Sequence, residues 1–141
     1  MRVLLTGFGP FPRAPVNPTA ALVKTLARRR RPALAGLFRT VHVFATRYAA
    51  VDRDLPELLK ENPDIVLMFG VAGRAQELRI ETRARNAVSV LFPDAGGERR
   101  RHGVIAPGEP PSLRGRAPFA SLLGALRAGR VPARLSRDAG R

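Results

Sequence analysis

The stretch "VLLTGFGPFPRAPVNPT" (residues 3–19) sets the reading of everything after it. Val3 to Thr6 form a short apolar run that opens into Gly7, the pattern of a buried strand. Glycines and prolines then punctuate a loop as far as Asn17, a good N-cap residue, with Pro18 at the first helical position. The spacing predicts a helix from there to about Arg30. A strand, a rigid loop and a helix in this order are the opening unit of an α/β protein.

The remaining chain repeats that grammar. Leu37 to Thr46 read as a strand, with Val41, Val43 and Ala45 alternating against Thr40, His42 and Phe44. Asp54 to Glu61 read as a helix that Pro63 stops. "DIVLMFG" (64–70) is the clearest buried strand, and "ELRIETRARNAVSV" (77–90) alternates well enough for extended structure. Pro93 to Pro118 read as loop, "PFASLLGALRAG" (118–129) as a helix stopped at Gly129, and "VPARLS" (131–136) as a last strand. Ser136 and Asp138 are both plausible caps for a helix that should follow. Strands alternating with helices predict a sheet with helices on its faces, and ligands bind at the carboxyl ends of its strands. The loops after Thr6 and after Gly70 therefore qualify as site loops.

Composition narrows the function classes. The 141 residues fit one domain, and 45% hydrophobic content speaks against wholesale disorder. The net charge of +14 is almost entirely arginine, since Lys24 and Lys60 are the only lysines. A basic nucleic-acid-binding domain is one reading of that charge. The arginines are scattered, however, and only Tyr48 and the phenylalanines could stack on bases, which favours a solvated surface. Arg28 to Arg31 belong at a helix C-terminus, where cations complement the dipole. Glu98 to His102 sit in a Gly/Pro-rich loop, solvated or a basic contact patch. With no cysteine and only His42 and His102, disulfides, thiolate metal sites and a cysteine nucleophile are excluded from these residues, and a histidine zinc site is disfavoured. No cofactor is expected. The N-terminus lacks a signal-peptide pattern and no apolar run is long enough to span a bilayer, so a cytoplasmic protein without a membrane partner is expected.

Phe8 and Phe11 follow the first strand on a rigid loop, where core packing is the ordinary explanation. Gly70 and Gly73 allow a tight backbone but match neither a dinucleotide fingerprint nor a P-loop. Glu81 lies among Arg79, Arg83 and Arg85; it is either a charge partner or the group that orients a catalytic histidine.

These residues resemble the pyroglutamyl peptidase I family, the pyrrolidone-carboxylate peptidases. "VLLTGFGPFPRAPVNPT" resembles its opening motif V-L-L-T-G-F-x-P-F-G-G-x-x-x-N-P-[ST]. "FGVAGR…ETRARN" resembles the second motif, G-Q-A-G-G-R…E-R-x-A-x-N, and "ARLSRDAGR" the third, S-x-x-A-G-x-Y-x-C-N, as far as its middle. The resemblance implies a three-layer α/β/α sandwich with a mixed, largely parallel central sheet, residues 1–141 forming a single, incomplete domain with its C-terminal part missing. It implies a cysteine peptidase that removes N-terminal pyroglutamate from peptides. The nucleophile would come shortly after Arg141 and the catalytic histidine later, so these residues read as the truncated N-terminal part of such an enzyme, inactive alone. The resemblance gives Glu81 the role of orienting the histidine, lets Phe8 and Phe11 hold the lactam ring, puts Thr46 at its pocket, and brings the four together at one sheet edge. It departs from the family at Val71, which replaces a pocket glutamine, and at Leu91, which replaces an arginine expected to stabilise the oxyanion. Pyroglutamyl peptides are the implied partners, with nucleic acid not expected and a homo-oligomer left open. A non-catalytic binding protein on the same fold is the alternative.

Overall fold

A computed structural model describes residues 1–12, 14–73, 75–137 and 139. The chain divides into two compact units, residues 1–71 with 93–99, and residues 72–92 with 100–141. Asp138 and Gly140, which carry part of the third motif, lie outside the described residues.

The first unit is built on β1 (Arg2–Phe8), flanked by β2 (Phe38–Phe44) and β3 (Ile65–Met68) in the order β2-β1-β3, all parallel. As the central strand, β1 is buried from Val3 to Gly7. Helix α1 (Pro18–Arg28) forms where expected: the Asn17 side chain accepts the Thr19 N–H at 3.1 Å, and Pro18 occupies the first turn. Thr19, Val23, Leu26 and Ala27 recur at helical spacing; the last three pack with Val3 and Leu5 into the core. Each fully buried aliphatic side chain there contributes about 1.5–3 kcal/mol. The helix meets β1 closely: a Cβ on Gly7 would lie 2.7 Å from the Thr19 carbonyl oxygen. The arginine run falls at its C-terminus as expected, with Arg28 in the last turn and Arg29 as the cap, and Arg39 of β2 also donates to the Leu26 and Arg29 carbonyls.

Two expectations change. Helix α2 (Tyr48–Lys60) begins at Tyr48 rather than Asp54, with Pro56 in its interior. The cause is a cap supplied from far along the chain, described below. Strand β3 is present but not buried: Ile65, Val66 and Leu67 are 38% exposed and Met68 48%. Among the described strands it pairs with β1 alone.

In the second unit β4 (Leu78–Glu81) pairs in parallel with β7 (Ala133–Ser136). Strands β5 (Arg83–Arg85) and β6 (Ser112–Arg114) form an antiparallel ladder, and β6 lies inside the stretch expected to be loop. Helix α3 (Phe119–Ala128) ends at Gly129 as expected. The fold is α/β. Among the described residues no helix is long and apolar enough to cross a membrane.

Candidate active site

The register of β1 and β2 places Phe8 opposite Phe44, so both strands end level. Their ring centroids stand 5.6 Å apart, and Phe44 is wholly buried beneath the half-buried Phe8. The loop leaving Phe8 is tied down by polar contacts. Thr19 Oγ1 accepts the Phe8 N–H at 2.9 Å and donates to Asn17 Oδ1 at 2.7 Å. The Gly9 N–H donates to the Phe44 carbonyl at 2.8 Å. The Gly9 carbonyl accepts from Asn17 Nδ2 at 3.0 Å and from Thr46 Oγ1 at 2.9 Å. Phe11, also half-buried, exchanges backbone hydrogen bonds with Ala14 and so turns the loop back. Phe8, Phe11 and Thr46 thus belong to one fixed corner at the carboxyl ends of parallel strands, where α/β proteins hold ligands.

Val71 is 37% exposed in the loop after β3. Leu91 is 71% exposed, its N–H donating to Ser89 Oγ at 3.2 Å. His42 faces elsewhere: its Nε2 lies 3.2 Å from Asp54 Oδ2, and its ring meets Phe44 edge-on. The Arg53 guanidinium beside Asp54 holds that carboxyl below the usual carboxylate range. His102 is exposed in a loop.

In the second unit Glu81 closes β4 opposite Ser136, which is buried. Thr82 locks this end: its N–H and its hydroxyl both donate to the Ser136 carbonyl, at 2.8 and 2.9 Å. Two buried side-chain oxygens, Thr6 Oγ1 and Glu81 Oε2, have no hydrogen-bond partner among the described residues. Nothing in the structure explains the first. The second is a carboxylate oxygen taken from water with no donor supplied, a costly arrangement unless a further group meets it. Next to Glu81, a cavity of about 720 Å³ is lined by Thr82, Arg83, Arg114, Phe119, Leu135 and Arg137 among others. Among the described residues its lining carries three arginines and no acidic side chain.

Asp94, which with Pro93 matches the family pattern beside Leu91, has a role that the sequence did not show. Its carboxylate accepts the backbone N–H groups of Tyr48, Gly96 and Glu98. The run "DAGG" (94–97) is turn chemistry, since aspartate binds the backbone two residues on. The helix it also caps lies too far along the chain for any local pattern to show.

Parallel strands flanked by helices, with the Phe8–Phe11 loop fixed at their carboxyl ends, define an α/β fold of the kind that holds ligands at strand ends. The model of the pyroglutamyl peptidase family matches residues 1–141, and the chain belongs to that family. It is 31% identical over 141 residues to a pyrrolidone-carboxylate peptidase of Thermococcus kodakarensis, covering 99% of this chain and 66% of that one. It is 34% identical to pyrrolidone-carboxylate peptidase 1 of Ralstonia nicotianae, covering 98% and 63%. Among solved structures, a mutant pyrrolidone carboxyl peptidase from P. furiosus matches with a TM-score of 0.89 at 29% identity, over 99% of this chain and 66% of that one. The Bacillus amyloliquefaciens pyroglutamyl peptidase I matches with a TM-score of 0.86 at 28% identity, with the same coverage. The chain thus spans about two thirds of the length of its relatives.

Proposed function

We propose that these residues carry the lactam-binding corner and the histidine-orienting carboxylate of an enzyme that removes N-terminal pyroglutamate from peptides. The observation that carries this reading is Glu81 Oε2, buried and unmet. A carboxylate of this kind fixes an imidazole tautomer and stabilises the imidazolium formed when a thiol gives up its proton. His42 is paired with Asp54 at 3.2 Å, and among the described residues no hydrogen bond joins a histidine to Glu81. The 141 residues contain no cysteine, so thiolate and imidazole come from outside them. The thiolate attacks the pyroglutamyl carbonyl, the imidazolium protonates the departing amine, and water then releases pyroglutamate. Phe8 and Phe11 supply apolar walls for the small neutral ring, and Thr46 a polar edge. Peptides are the partners in this reading and nucleic acid is not, with a cytoplasmic location; the scattered arginines support a solvated surface.

The test joins the C-terminal third of the P. furiosus enzyme to residue 141 and follows a pyroglutamyl-coumarin substrate. Fluorophore release is expected, falling roughly 10⁴-fold with Glu81→Gln, as when a triad carboxylate is neutralised. Release that is indifferent to Glu81→Gln would remove the orienting role.

A further inference from the structure

Helix α2 starts without a cap of its own. Arg47, at the N-cap position, has extended backbone and makes no side-chain hydrogen bond to the helix. Asp94 supplies the missing acceptor: the Tyr48 N–H donates to its Oδ2 at 2.9 Å. Its other oxygen, Oδ1, accepts the Gly96 and Glu98 N–H groups at 2.8 and 2.9 Å. The Asp94 N–H returns a bond to the Glu98 carbonyl, and Gly97 completes the turn at φ +86. One carboxylate therefore closes a tight turn with one oxygen and holds a helix with the other.

Thr46 lies between these attachments. The Ala95 N–H donates to its carbonyl at 2.9 Å, while its hydroxyl donates to Gly9. Gly9 is the residue between Phe8 and Pro10. The turn at 94–98 thus grips the backbone of Thr46 on one side, and the side chain of Thr46 grips the Phe8–Phe11 loop on the other.

We propose that Asp94 is a positioning residue, which fixes Thr46 against Gly9 and thereby sets the shape of the lactam corner. This rests on reading Phe8, Phe11 and Thr46 as that corner. Both carboxylate oxygens are needed. Asparagine has one acceptor oxygen, so at position 94 its amide would face the donors of either the helix or the turn.

The test uses the ¹⁵N-labelled 141-residue chain, its Asp94→Asn and Asp94→Ala variants, and L-pyroglutamamide as the probe. Both variants should move the amide resonances of Tyr48, Gly96 and Glu98, which Asp94 touches. They should also move those of Gly9 and Thr46, whose amides it does not touch, and weaken pyroglutamamide binding about tenfold. A purely structural role would lower thermal stability but leave Gly9, Thr46 and the affinity unchanged, and that result overturns the proposal. If the unaltered chain binds no pyroglutamamide while Gly9 and Thr46 still respond, the lactam reading falls and the positioning of Thr46 stands. If the variants do not fold, acid titration of the unaltered chain gives the same answer. Arg47 is the charged group facing the carboxyl, and the Gly9 and Thr46 resonances should follow Asp94 as it protonates. Resonances that ignore that titration contradict the proposal.

Discussion

The Phe8–Phe11 corner of the first unit and the end of β4 in the second treat their polar atoms in opposite ways. In the first, Asn17, Thr19, Thr46 and Asp94 are all consumed in holding backbone, and the loop between Phe8 and Phe11 is fixed from three sides. In the second, Glu81 keeps a buried carboxylate oxygen that nothing meets. A recognition surface for a small rigid lactam gains from being set beforehand, because ordering it on binding would cost affinity. A carboxylate that orients a moving proton must keep a lone pair for its partner. Under the proposed function, the difference separates residues that shape the ligand site from one that awaits a reacting group.

After the loss expected with Glu81→Gln, the largest effect probes the same reacting side. In the chain extended with a relative's C-terminal third, Leu91→Arg should raise turnover about 10²–10³-fold if an oxyanion donor has been lost there. Equal rates would show that Leu91 is tolerated.

Stability effects in the first unit follow. Gly7→Ala drives a Cβ against the Thr19 carbonyl, at 2.7 Å, where the neighbour is backbone and yields little. Overpacking of this kind costs about 1–3 kcal/mol, read from urea denaturation. A change under half that would mean that α1 moves away freely.

Asn17→Ala removes the cap of α1 and a donor to Gly9 together. It should cost about 1–2 kcal/mol and also shift the Gly9 resonances. Loss of stability without that shift would reduce Asn17 to a helix cap.

Smaller effects concern acid. Asp94 is pushed up by burial, but the N–H groups of Tyr48, Glu98 and Gly96 and the charge of Arg47 outweigh this and hold it below its ordinary value. A carboxyl depressed in the folded state adds stability that is present above the unfolded pKa and lost as pH falls through the folded one. Asp94→Ala should therefore flatten the acid limb of a stability–pH profile below about pH 4 and leave its slope near neutrality unchanged. An unchanged acid limb would place the responsible group elsewhere. The smallest effect is expected on β3, where Val66→Lys should alter stability by less than about 0.5 kcal/mol while lowering light scattering, because apolar exposure promotes association.

Sequence showed what local chemistry dictates. Asn17–Pro18 began α1, Gly129 ended α3, and the apolar runs at 3–6 and 65–68 were strands. It could not show what distant residues decide. The start of α2 depends on Asp94, so the local pattern supported only its second half. The exposure of β3 depends on which elements cover it, which an apolar run does not record. Strand β6 carries only three residues and was hidden in a Gly/Pro-rich stretch. The roles proposed for Phe8, Phe11, Thr46 and Glu81 rest on motif resemblance, because aromatic residues at a strand end and a carboxylate among arginines are ordinary features by themselves.

The central claim is that the corner of Phe8, Phe11 and Thr46 binds a pyroglutamyl ring. Titrating L-pyroglutamamide into the ¹⁵N-labelled 141-residue chain tests it most directly. The account predicts saturable shifts at Phe8, Gly9, Phe11 and Thr46, and their loss with Phe8→Ala in a chain that remains folded. Shifts confined to Arg83, Arg114 and Arg137 around the second unit's cavity, or no shifts at all, would contradict it.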